Sequence, residues 1–224
     1  MQTGTLYIVA TPIGNLGDIT IRVIDTLKAV DVILCEDTRV TQKLLNHFDI
    51  KTKTLSYHQH SDDKKVTEIQ QLLEQGKHLA LVTDAGTPGI SDPGNLLINQ
   101  LQAAIPELVV VPIPGASAVI TALSISGLPT DKFLFLGFPP HKNKRKKFFQ
   151  EVADSKHTVV FYESNHRIEK AIKNLEEVLG NEKQICICRE LTKKFETIYR
   201  GTILEIIKMD ISQKGEFVVV VSTS

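Results

Sequence analysis

Short apolar segments alternate with helical patterns through the first half of the chain, and this alternation limits the possible folds more than any other feature. The predicted strands lie near 4–10, 31–35, 52–56, 78–83 and 108–112. Helices are predicted near 20–29, 38–47, 62–75 and 93–104. A spacing of about 20 to 30 residues between strands is typical of βαβ units, so we predict a mostly parallel sheet.

The second half predicts a different arrangement, because some of its strands follow one another without a helix between them. Strands are predicted near 133–138, 157–162, 184–189, 197–201 and 216–222, and helices near 144–153, 165–179 and 202–208. This order favours a mixed sheet. The segment from Pro112 to Gly115 precedes an apolar helix that starts at Ala116, and we expect a hinge there. The sequence therefore predicts two α/β domains, 1–113 and 114–224.

The composition indicates an ordinary globular protein. The chain has 224 residues, of which 42% are hydrophobic and 23% charged, and its formal net charge is zero. Its longest apolar runs are far shorter than the roughly 20 residues that cross a bilayer, and its first residues are not typical of a signal peptide. We therefore expect a cytoplasmic protein without a membrane segment.

The three cysteines, Cys35, Cys186 and Cys188, are too few for a disulfide framework. Cys186 and Cys188 alternate within a predicted strand, which places both sulfur atoms on one face of the sheet. We predict buried structural thiols, with metal binding or redox chemistry as the alternative.

Residues 83–94 form a loop that contains three glycines and two prolines between an apolar strand and a helix. Asp92 is predicted to be the N-cap of that helix, with Pro93 at its first position. Ligands of open α/β sheets bind at the carboxyl ends of strands, and glycines there let the backbone approach a ligand. The loop is therefore a predicted ligand-binding segment of defined shape.

Further loops at predicted strand ends carry polar or small residues. The loop 10–18 has two glycines but neither the dinucleotide fingerprint nor a phosphate-binding P-loop. Glu36, Asp37 and Arg39 follow a buried strand, and Asp37 is a predicted helix cap. The small residues of 114–118 would let a flat ring lie against the backbone or let a helix pack closely.

Two segments of the second half complete the predicted site. Glu163, His166 and Arg167 cluster after one strand, and the charged segment 189–194 follows another. The latter also fits a simple charged turn. No metal site is expected, because the seven histidines are scattered and His58 and His60 have no ligand at a suitable spacing.

A run of cations contrasts with the zero net charge. It consists of Lys142, Lys144, Arg145, Lys146 and Lys147. Such a run fits either a solvated start of a helix or a set of phosphate contacts for nucleic acid. Because two prolines precede it and Phe148 and Phe149 follow it, we expect a loop that leads into a helix docked by aromatic side chains.

Taken in order, these motifs resemble the tetrapyrrole methylase superfamily, and within it a group that methylates small-subunit ribosomal RNA. The resemblance covers residues 4–221 and rests on the segments ATPIGNLGDIT, EDTR, DAGTPGISDPG, PGASA, FLGFPP, YESNHR and RELTKKFE. It implies two αβα domains with a cofactor cleft between them, and a homodimer. It further implies transfer of a methyl group to the ribose 2′-hydroxyl of a decoding-region cytidine in 16S ribosomal RNA or the small ribosomal subunit.

The same resemblance implies S-adenosylmethionine as cofactor and S-adenosylhomocysteine as product. The positions that match the family's cofactor contacts are Pro12, Asp84, Ala85, Gly86, Thr87, Ile90, Ser91, Ser117, Ala118, Tyr162 and Leu191. The run of cations from Lys142 to Lys147 is then the expected RNA contact.

Methyl transfer needs the reacting atoms in line, and a base or cation can help the hydroxyl proton leave. The candidates are Glu36, Asp37, Arg39, Glu163, Lys193 and Lys194, among which the sequence does not choose. Two alternatives stay open at this point. One is a methyltransferase that acts on a tetrapyrrole carbon, and the other is a noncatalytic RNA-binding assembly protein.

Overall fold

A computed structural model describes residues 3–58, 63–92 and 94–222 of the chain. The chain divides into two compact units, Met1–Ser117 and Ala118–Ser224, which are called unit 1 and unit 2 below. Each unit contains one sheet of five strands. The helices and strands follow the predicted order closely, because their apolar periodicity is strong in both halves of the chain.

Unit 1 is built on a parallel sheet, as predicted. Its strands are β1 (Thr5–Val9), β2 (Val32–Cys35), β3 (Lys53–Ser56), β4 (Leu79–Leu81) and β5 (Val109–Ile113). Its helices are α1 (Ile21–Ala29), α2 (Thr38–His47), α3 (Asp63–Glu74) and α4 (Asn95–Ala104). The strands lie in the order β3-β2-β4-β1-β5.

Both faces of this sheet are covered by helices. Ile33 and Cys35 of β2 pack with Leu27 of α1 and Leu45 of α2. Leu34 points to the opposite face and belongs to a second core with residues of α3 and α4. Alternate residues of one strand therefore enter two different cores, which explains why β2 and β4 read as continuous apolar runs.

Unit 2 contains a mixed sheet, also as predicted. Its strands are β6 (Phe133–Phe135), β7 (Thr158–Ser164), β8 (Gln184–Arg189), β9 (Thr197–Thr202) and β10 (Glu216–Val221), in the order β6-β7-β10-β8-β9. Its helices are α5 (Ala118–Ser126), α6 (Arg145–Asp154), α7 (Ile168–Leu179) and α8 (Ile203–Lys208). The β6 strand runs parallel to β7, and the other neighbouring pairs are antiparallel.

The helices α6, α7 and α8 share one core with this sheet, centred on Phe149, Phe161 and Leu175. Helix α5 packs against β7, β8 and β10. Cys186 and Cys188 are buried on the face opposite to the shared core, with their sulfur atoms 3.7 Å apart. The prediction of buried thiols on one face is therefore confirmed.

In the described ranges of both units, no helix is long and apolar enough to cross a membrane. Within the same ranges, no group of three or more His, Cys, Asp or Glu side chains could hold a metal ion.

Candidate active site

The loops that follow β1, β2, β4 and β5 leave unit 1 at a single edge, because all five strands run in the same direction. These loops, with the first turn of α2, carry every predicted cofactor contact and catalytic candidate of unit 1. Carboxyl edges of parallel sheets are the usual place for ligands in α/β proteins. The strand directions thus bring together motifs that are up to 100 residues apart in the sequence.

The loop after β1 is joined to the loop after β4 by backbone hydrogen bonds. The amide of Thr11 donates to the carbonyl oxygen of Gly86 at 2.9 Å, and the Gly86 amide donates to the Thr11 oxygen at 3.1 Å. The Thr11 hydroxyl also donates to the Thr83 oxygen at 3.0 Å. Gly86 adopts a φ of 85°, which a residue with a Cβ atom adopts only at a cost. Pro12, which follows Thr11, is buried at this junction.

The loop after β4 ends differently from the prediction. Helix α4 begins at Asn95, and its N-cap is Gly94, without a capping side chain. The assignment of Asp92 as N-cap is therefore wrong, and Pro93 lies outside the described residues. The side-chain amide of Asn95 instead donates to the Gly89 oxygen at 2.8 Å, so the first residue of the helix holds the middle of the loop.

Asp92 is half-buried close to other carboxylates. Its pKa is raised, first by burial and further by the negative charges of Glu36 and Asp84, against an opposing effect of the nearby Thr83 hydroxyl. A carboxyl whose pKa is raised by neighbouring carboxylates reports a negative local potential. This edge of unit 1 therefore favours positively charged ligands.

An open pocket of about 570 Å³ lies at the ends of β2, β3 and β4. It is lined by Glu36, Asp37, Thr38, Arg39, Ser56, His58 and Asp84. The Asp37 amide donates to Asp84 Oδ1 at 3.3 Å, so a predicted cofactor contact and a catalytic candidate touch directly. Sequence reasoning missed Ser56 and treated His58 only as a loop residue. Their position at the carboxyl end of β3 could have indicated a place in the pocket, but only if the sequence also showed that β3 lies beside β2.

Asp37 caps α2 as predicted, and its carboxylate accepts a hydrogen bond from the Arg39 amide at 2.8 Å. Arg39 Nη2 also lies 2.7 Å from Asp37 Oδ2. The side-chain and backbone hydrogen bonds from Arg39 lower the pKa of Asp37 to about 2. Such a carboxylate is a weak proton acceptor. Glu36 is exposed and forms no hydrogen bond or ion pair among the residues that the structure describes.

The remaining predicted cofactor contacts near unit 1 lie in the loop after β4 or in the segment after β5. Ala85, Ile90 and Ser91 are exposed, and Ser91 has a positive φ of 59°. The Thr87 hydroxyl donates to the Ala116 oxygen at 3.3 Å and so ties the loop after β4 to the segment after β5. Ser117 is the last residue of unit 1, and Ala118 begins α5.

Unit 2 gathers its predicted site residues at one edge of its own sheet. The strands β6, β7 and β8 share one direction, since β10 is antiparallel to both β7 and β8 and β6 is parallel to β7. Tyr162 lies near the end of β7, with its ring centroid 5.0 Å from that of Phe135 and 5.2 Å from that of Phe138. Leu191 is buried in the turn after β8.

Glu163 has a different place from the one predicted for a catalytic group. Its side chain is fully buried, and Oε1 accepts a hydrogen bond from the Ser164 amide at 2.8 Å and forms an ion pair with Arg167 Nη2, also at 2.8 Å. Its other oxygen lies 3.2 Å from Arg145 Nη2. Both oxygens are bound by cationic or backbone donors, so Glu163 is not available as a base. It forms the centre of a buried ion triad with Arg145 and Arg167.

Arg145 is corrected for the same reason. The sequence predicts a phosphate contact at this position, but Arg145 is only 5% exposed and bound to Glu163 and Asn174. Its guanidinium also lies over the ring of Phe149, 5.0 Å from the centroid. The lysines of the run are exposed, namely Lys142, Lys144, Lys146 and Lys147. The first two precede α6 and the last two lie in its first turn, as expected for a loop that enters a helix.

The two lysines of the segment 189–194 differ from each other. The Lys193 ammonium donates to Glu190 at 3.0 Å and to Glu216 at 2.8 Å. Burial lowers the pKa of Lys193, but the hydrogen bonds to Glu216 and Glu190 outweigh it, and the pKa is raised. Lys193 is therefore protonated at neutral pH and cannot accept a proton. Lys194 is exposed, with its ammonium 5.6 Å from the ring centroid of Phe195.

Residues 5–207 match the family model described as Tetrapyrrole (Corrin/Porphyrin) Methylases. The chain belongs to this family. Among curated members, it is 49% identical to ribosomal RNA small subunit methyltransferase I of Halalkalibacterium halodurans over 222 residues, which cover 97% of this chain and 75% of the relative. It is 51% identical to the protein of the same name from Vibrio cholerae over 221 residues, which cover 96% of this chain and 76% of the relative.

Solved structures of other tetrapyrrole methylases share the fold. The methyltransferase CobJ superposes with a TM-score of 0.71 at 17% identity, covering 98% of this chain and 94% of its own. Uroporphyrin-III-C-methyltransferase from Thermus thermophilus gives a TM-score of 0.68 at 16% identity, with the same coverage. At these identities the likeness concerns the fold alone, and it confirms the predicted α/β class.

Proposed function

We propose that this chain is an S-adenosylmethionine-dependent methyltransferase that methylates the ribose 2′-hydroxyl of a decoding-region cytidine in 16S ribosomal RNA. The observation that carries the proposal is the near-full-length identity of 49% and 51% to two ribosomal RNA small subunit methyltransferases I. The choice of hydroxyl and nucleotide rests on the motif resemblance. The exposed lysines before and within α6 favour an RNA acceptor over a tetrapyrrole.

The donor set of unit 1 fits the proposed cofactor. S-adenosylmethionine carries positive charge on its sulfonium and amino groups, and when bound it supplies the methyl group and departs as neutral S-adenosylhomocysteine. The pocket is lined by Glu36, Asp37 and Asp84, against one arginine. The raised pKa of Asp92 supports the same negative potential. We expect the loops after β1, β4 and β5 to hold the cofactor. For Tyr162 and Leu191, a cofactor contact is proposed from the motif resemblance alone.

Glu36 is the proposed proton acceptor. When bound, S-adenosylmethionine would supply the methyl group to the ribose oxygen and leave as S-adenosylhomocysteine. The hydroxyl proton then goes to the Glu36 carboxylate. Of the six candidates, Asp37 is paired with Arg39, Glu163 is buried between two arginines, and Lys193 is protonated. The exposed Arg39 and Lys194 are cations that could contact RNA phosphates.

The test is methylation of small ribosomal subunits, and of their naked RNA, from cells that lack this modification. Tritiated methyl groups from S-adenosylmethionine should enter one cytidine, and mass spectrometry of the nucleosides should show 2′-O-methylcytidine. Cofactor binding without labelling, while a second ribosomal RNA methyltransferase labels the same preparation, would refute the proposal. Absence of cofactor binding in calorimetry would instead support a noncatalytic RNA-binding protein, and methylation of uroporphyrinogen or a precorrin would support the tetrapyrrole alternative.

The role of Glu36 is tested separately by Glu36→Gln. This variant should lower kcat and leave the Kd for S-adenosylhomocysteine nearly unchanged, because the amide keeps the shape of the side chain but cannot take the proton. Glu68→Gln on α3 is the matched control, since Glu68 lies outside the pocket and pairs with Lys65. Equal kcat values for both variants would exclude Glu36 as the base.

The proposed enzyme is a cytoplasmic homodimer. The cytoplasmic location follows from the proposed substrate, because bacterial ribosomes are assembled there, and the dimer follows from the motif resemblance. Light scattering coupled to size-exclusion chromatography measures the mass of the particle. A mass near 50 kDa, twice the 24.9 kDa of one chain, is expected.

A further inference from the structure

The loop that follows β6 presents an aromatic ring to solvent. Phe138 is 53% exposed, whereas Phe148, Phe149, Phe161 and Phe217 are buried in the core of unit 2. The ring is supported from one side by Tyr162, and Tyr162 in turn contacts Phe135. Phe138 therefore ends a row of three aromatic side chains, of which it alone is mainly open to solvent.

Two guanidinium groups donate hydrogen bonds to the backbone next to Phe138. Arg167 Nη1 donates to the Pro139 oxygen at 3.0 Å, and Arg145 Nη1 donates to the Pro140 oxygen at 3.4 Å. Both arginines are held by Glu163. The Tyr162 amide also donates to the Gly137 oxygen at 2.9 Å, so the backbone on both sides of Phe138 is bound to β7 and to the ion triad.

A buried ion triad is an uncertain source of stability, because the loss of hydration of its charges offsets most of their attraction. The triad does restrain the loop, since each arginine donates a hydrogen bond to one carbonyl oxygen of Pro139 and Pro140. The triad also carries a formal charge of one positive unit, from two guanidiniums and one carboxylate. It thus holds the loop in place and adds to the positive potential above it.

The segment that carries this ring is basic. Residues 132–150 contain no Asp or Glu. They contain the exposed lysines Lys142, Lys144, Lys146 and Lys147, which follow Phe138 by four to nine residues. A fixed aromatic ring in one segment with exposed cations matches the way in which proteins bind single-stranded RNA, by stacking on a base and by contacting the neighbouring phosphates.

We infer that Phe138 is a base-stacking site for a single-stranded nucleotide of the RNA substrate, and that the triad of Arg145, Glu163 and Arg167 positions it. The inference rests on the proposed function and names a contact for its substrate. In this proposal Phe138 stacks on the base, and the four lysines contact phosphates. Loss of Phe138 therefore weakens binding without changing its salt dependence, and loss of the lysines reduces that dependence.

The experiment measures the Kd of the full chain for a short single-stranded oligoribonucleotide by fluorescence anisotropy at several salt concentrations. Phe138→Ala should raise the Kd by about 5- to 150-fold, as expected for one stacked base. Phe138→Trp should bind at least as well as the unchanged chain. Phe133→Ala is the matched control, because Phe133 is 41% exposed at the other end of β6, and it should leave the Kd unchanged.

A second oligoribonucleotide, in which every base is missing, separates stacking from other effects. Phe138→Ala and the unchanged chain should bind this backbone equally. Replacement of the four lysines by alanine should weaken binding to both RNAs. It should also reduce the slope of log K against log salt by about 0.7 for each phosphate that a lysine no longer neutralises.

An equal loss on the intact and the base-free RNA, or no loss on either, would overturn the stacking site. If the unchanged chain methylates ribosomal subunits and the Phe138→Ala variant has unchanged Kd and KM, the inference fails while the proposed function stands. If the unchanged chain neither binds nor methylates RNA, both fail.

Discussion

Thr11 and Gly86 lie 75 positions apart in the sequence and exchange two backbone hydrogen bonds, at 2.9 Å and 3.1 Å. The pair joins the loop after β1 to the glycine-rich loop after β4. Both loops carry predicted cofactor contacts, so their relative position depends on this short antiparallel bridge. The positive φ of Gly86 is what lets the chain make the bridge and then turn towards Thr87.

Gly86→Ala should therefore lower the free energy of unfolding by about 1–2 kcal/mol and weaken cofactor binding. The cost comes from the backbone, because a Cβ atom at Gly86 would meet only Ile13 Cγ2, at an ordinary 3.5 Å, and the Ala116 oxygen at 3.8 Å. The two quantities are measured by urea unfolding and by calorimetry with S-adenosylhomocysteine. Gly127→Ala is the control, since its φ is 75° and a Cβ atom there meets nothing within 4 Å. It should lose similar stability and keep its cofactor affinity.

Arg39→Ala should raise the pKa of Asp37 from about 2 towards the ordinary range, because the hydrogen bond from the Arg39 side chain is the largest cause of its depression. Since the folded pKa is the lower one, the stabilising effect of Asp37 is present above its unfolded pKa of about 3.9 and is lost as the pH falls towards 2. Carbon NMR of the carboxyl group across a range of about pH 1.5 to 6 measures this. An unchanged pKa in the variant would show that the helix cap alone depresses it.

Glu163→Ala should destabilise unit 2 strongly, by about 3–5 kcal/mol, because it leaves the guanidiniums of Arg145 and Arg167 without their shared partner. Urea unfolding followed by circular dichroism measures this, since the chain has no tryptophan. Lys51→Ala removes a different ion pair, with Asp49, and both side chains of that pair are largely exposed. It should leave the unfolding free energy nearly unchanged. Equal effects of the two substitutions would contradict the structural role of Glu163.

Cys186 and Cys188 should be unreactive towards Ellman's reagent in the native protein. Both are buried, which excludes the reagent. Their shared hydrogen bond lowers the pKa of Cys186, whereas the same hydrogen bond and burial raise the pKa of Cys188. In this reaction the thiolate attacks the disulfide of the reagent, so only an exposed thiolate reacts. In denaturant, all three cysteines of the chain should react. Rapid reaction of two thiols in the native state would mean that the sheet of unit 2 opens readily on that face.

Periodicity and loop chemistry predict most of this architecture. Asp37 illustrates why such predictions succeed, because a helix cap depends only on residues close to it in the sequence. Asp92 illustrates the limit. Its neighbour Glu36 comes from the loop after β2, and the order β3-β2-β4-β1-β5 that brings this loop close to Asp92 is not readable from one sequence.

The prediction of a phosphate contact at Arg145 is wrong, and the sequence contains the pattern that argues against it. With Phe148, Phe149 and Val152 it occupies positions i, i+3, i+4 and i+7 of α6, which is the spacing of a buried helix face. Its four lysine neighbours lie outside that spacing. When the run of cations is treated as one block of charge, this spacing is not visible. The pairing of Arg145 with Glu163 is not predictable from the sequence, because β7 is a separate element after α6 and the contact depends on packing.

The position of β10 bears on how the chain folds as the ribosome synthesises it. This strand follows all other described strands of unit 2 in the sequence, yet it lies between β7 and β8 and pairs with both. All strands of unit 1 precede Ser117, so its sheet can close early. Unit 2 has to wait until residues near Val221 emerge, and during that interval the facing edges of β7 and β8 are unpaired. Pauses in translation over the last strand would therefore prolong the period in which the nascent chain is most prone to aggregate.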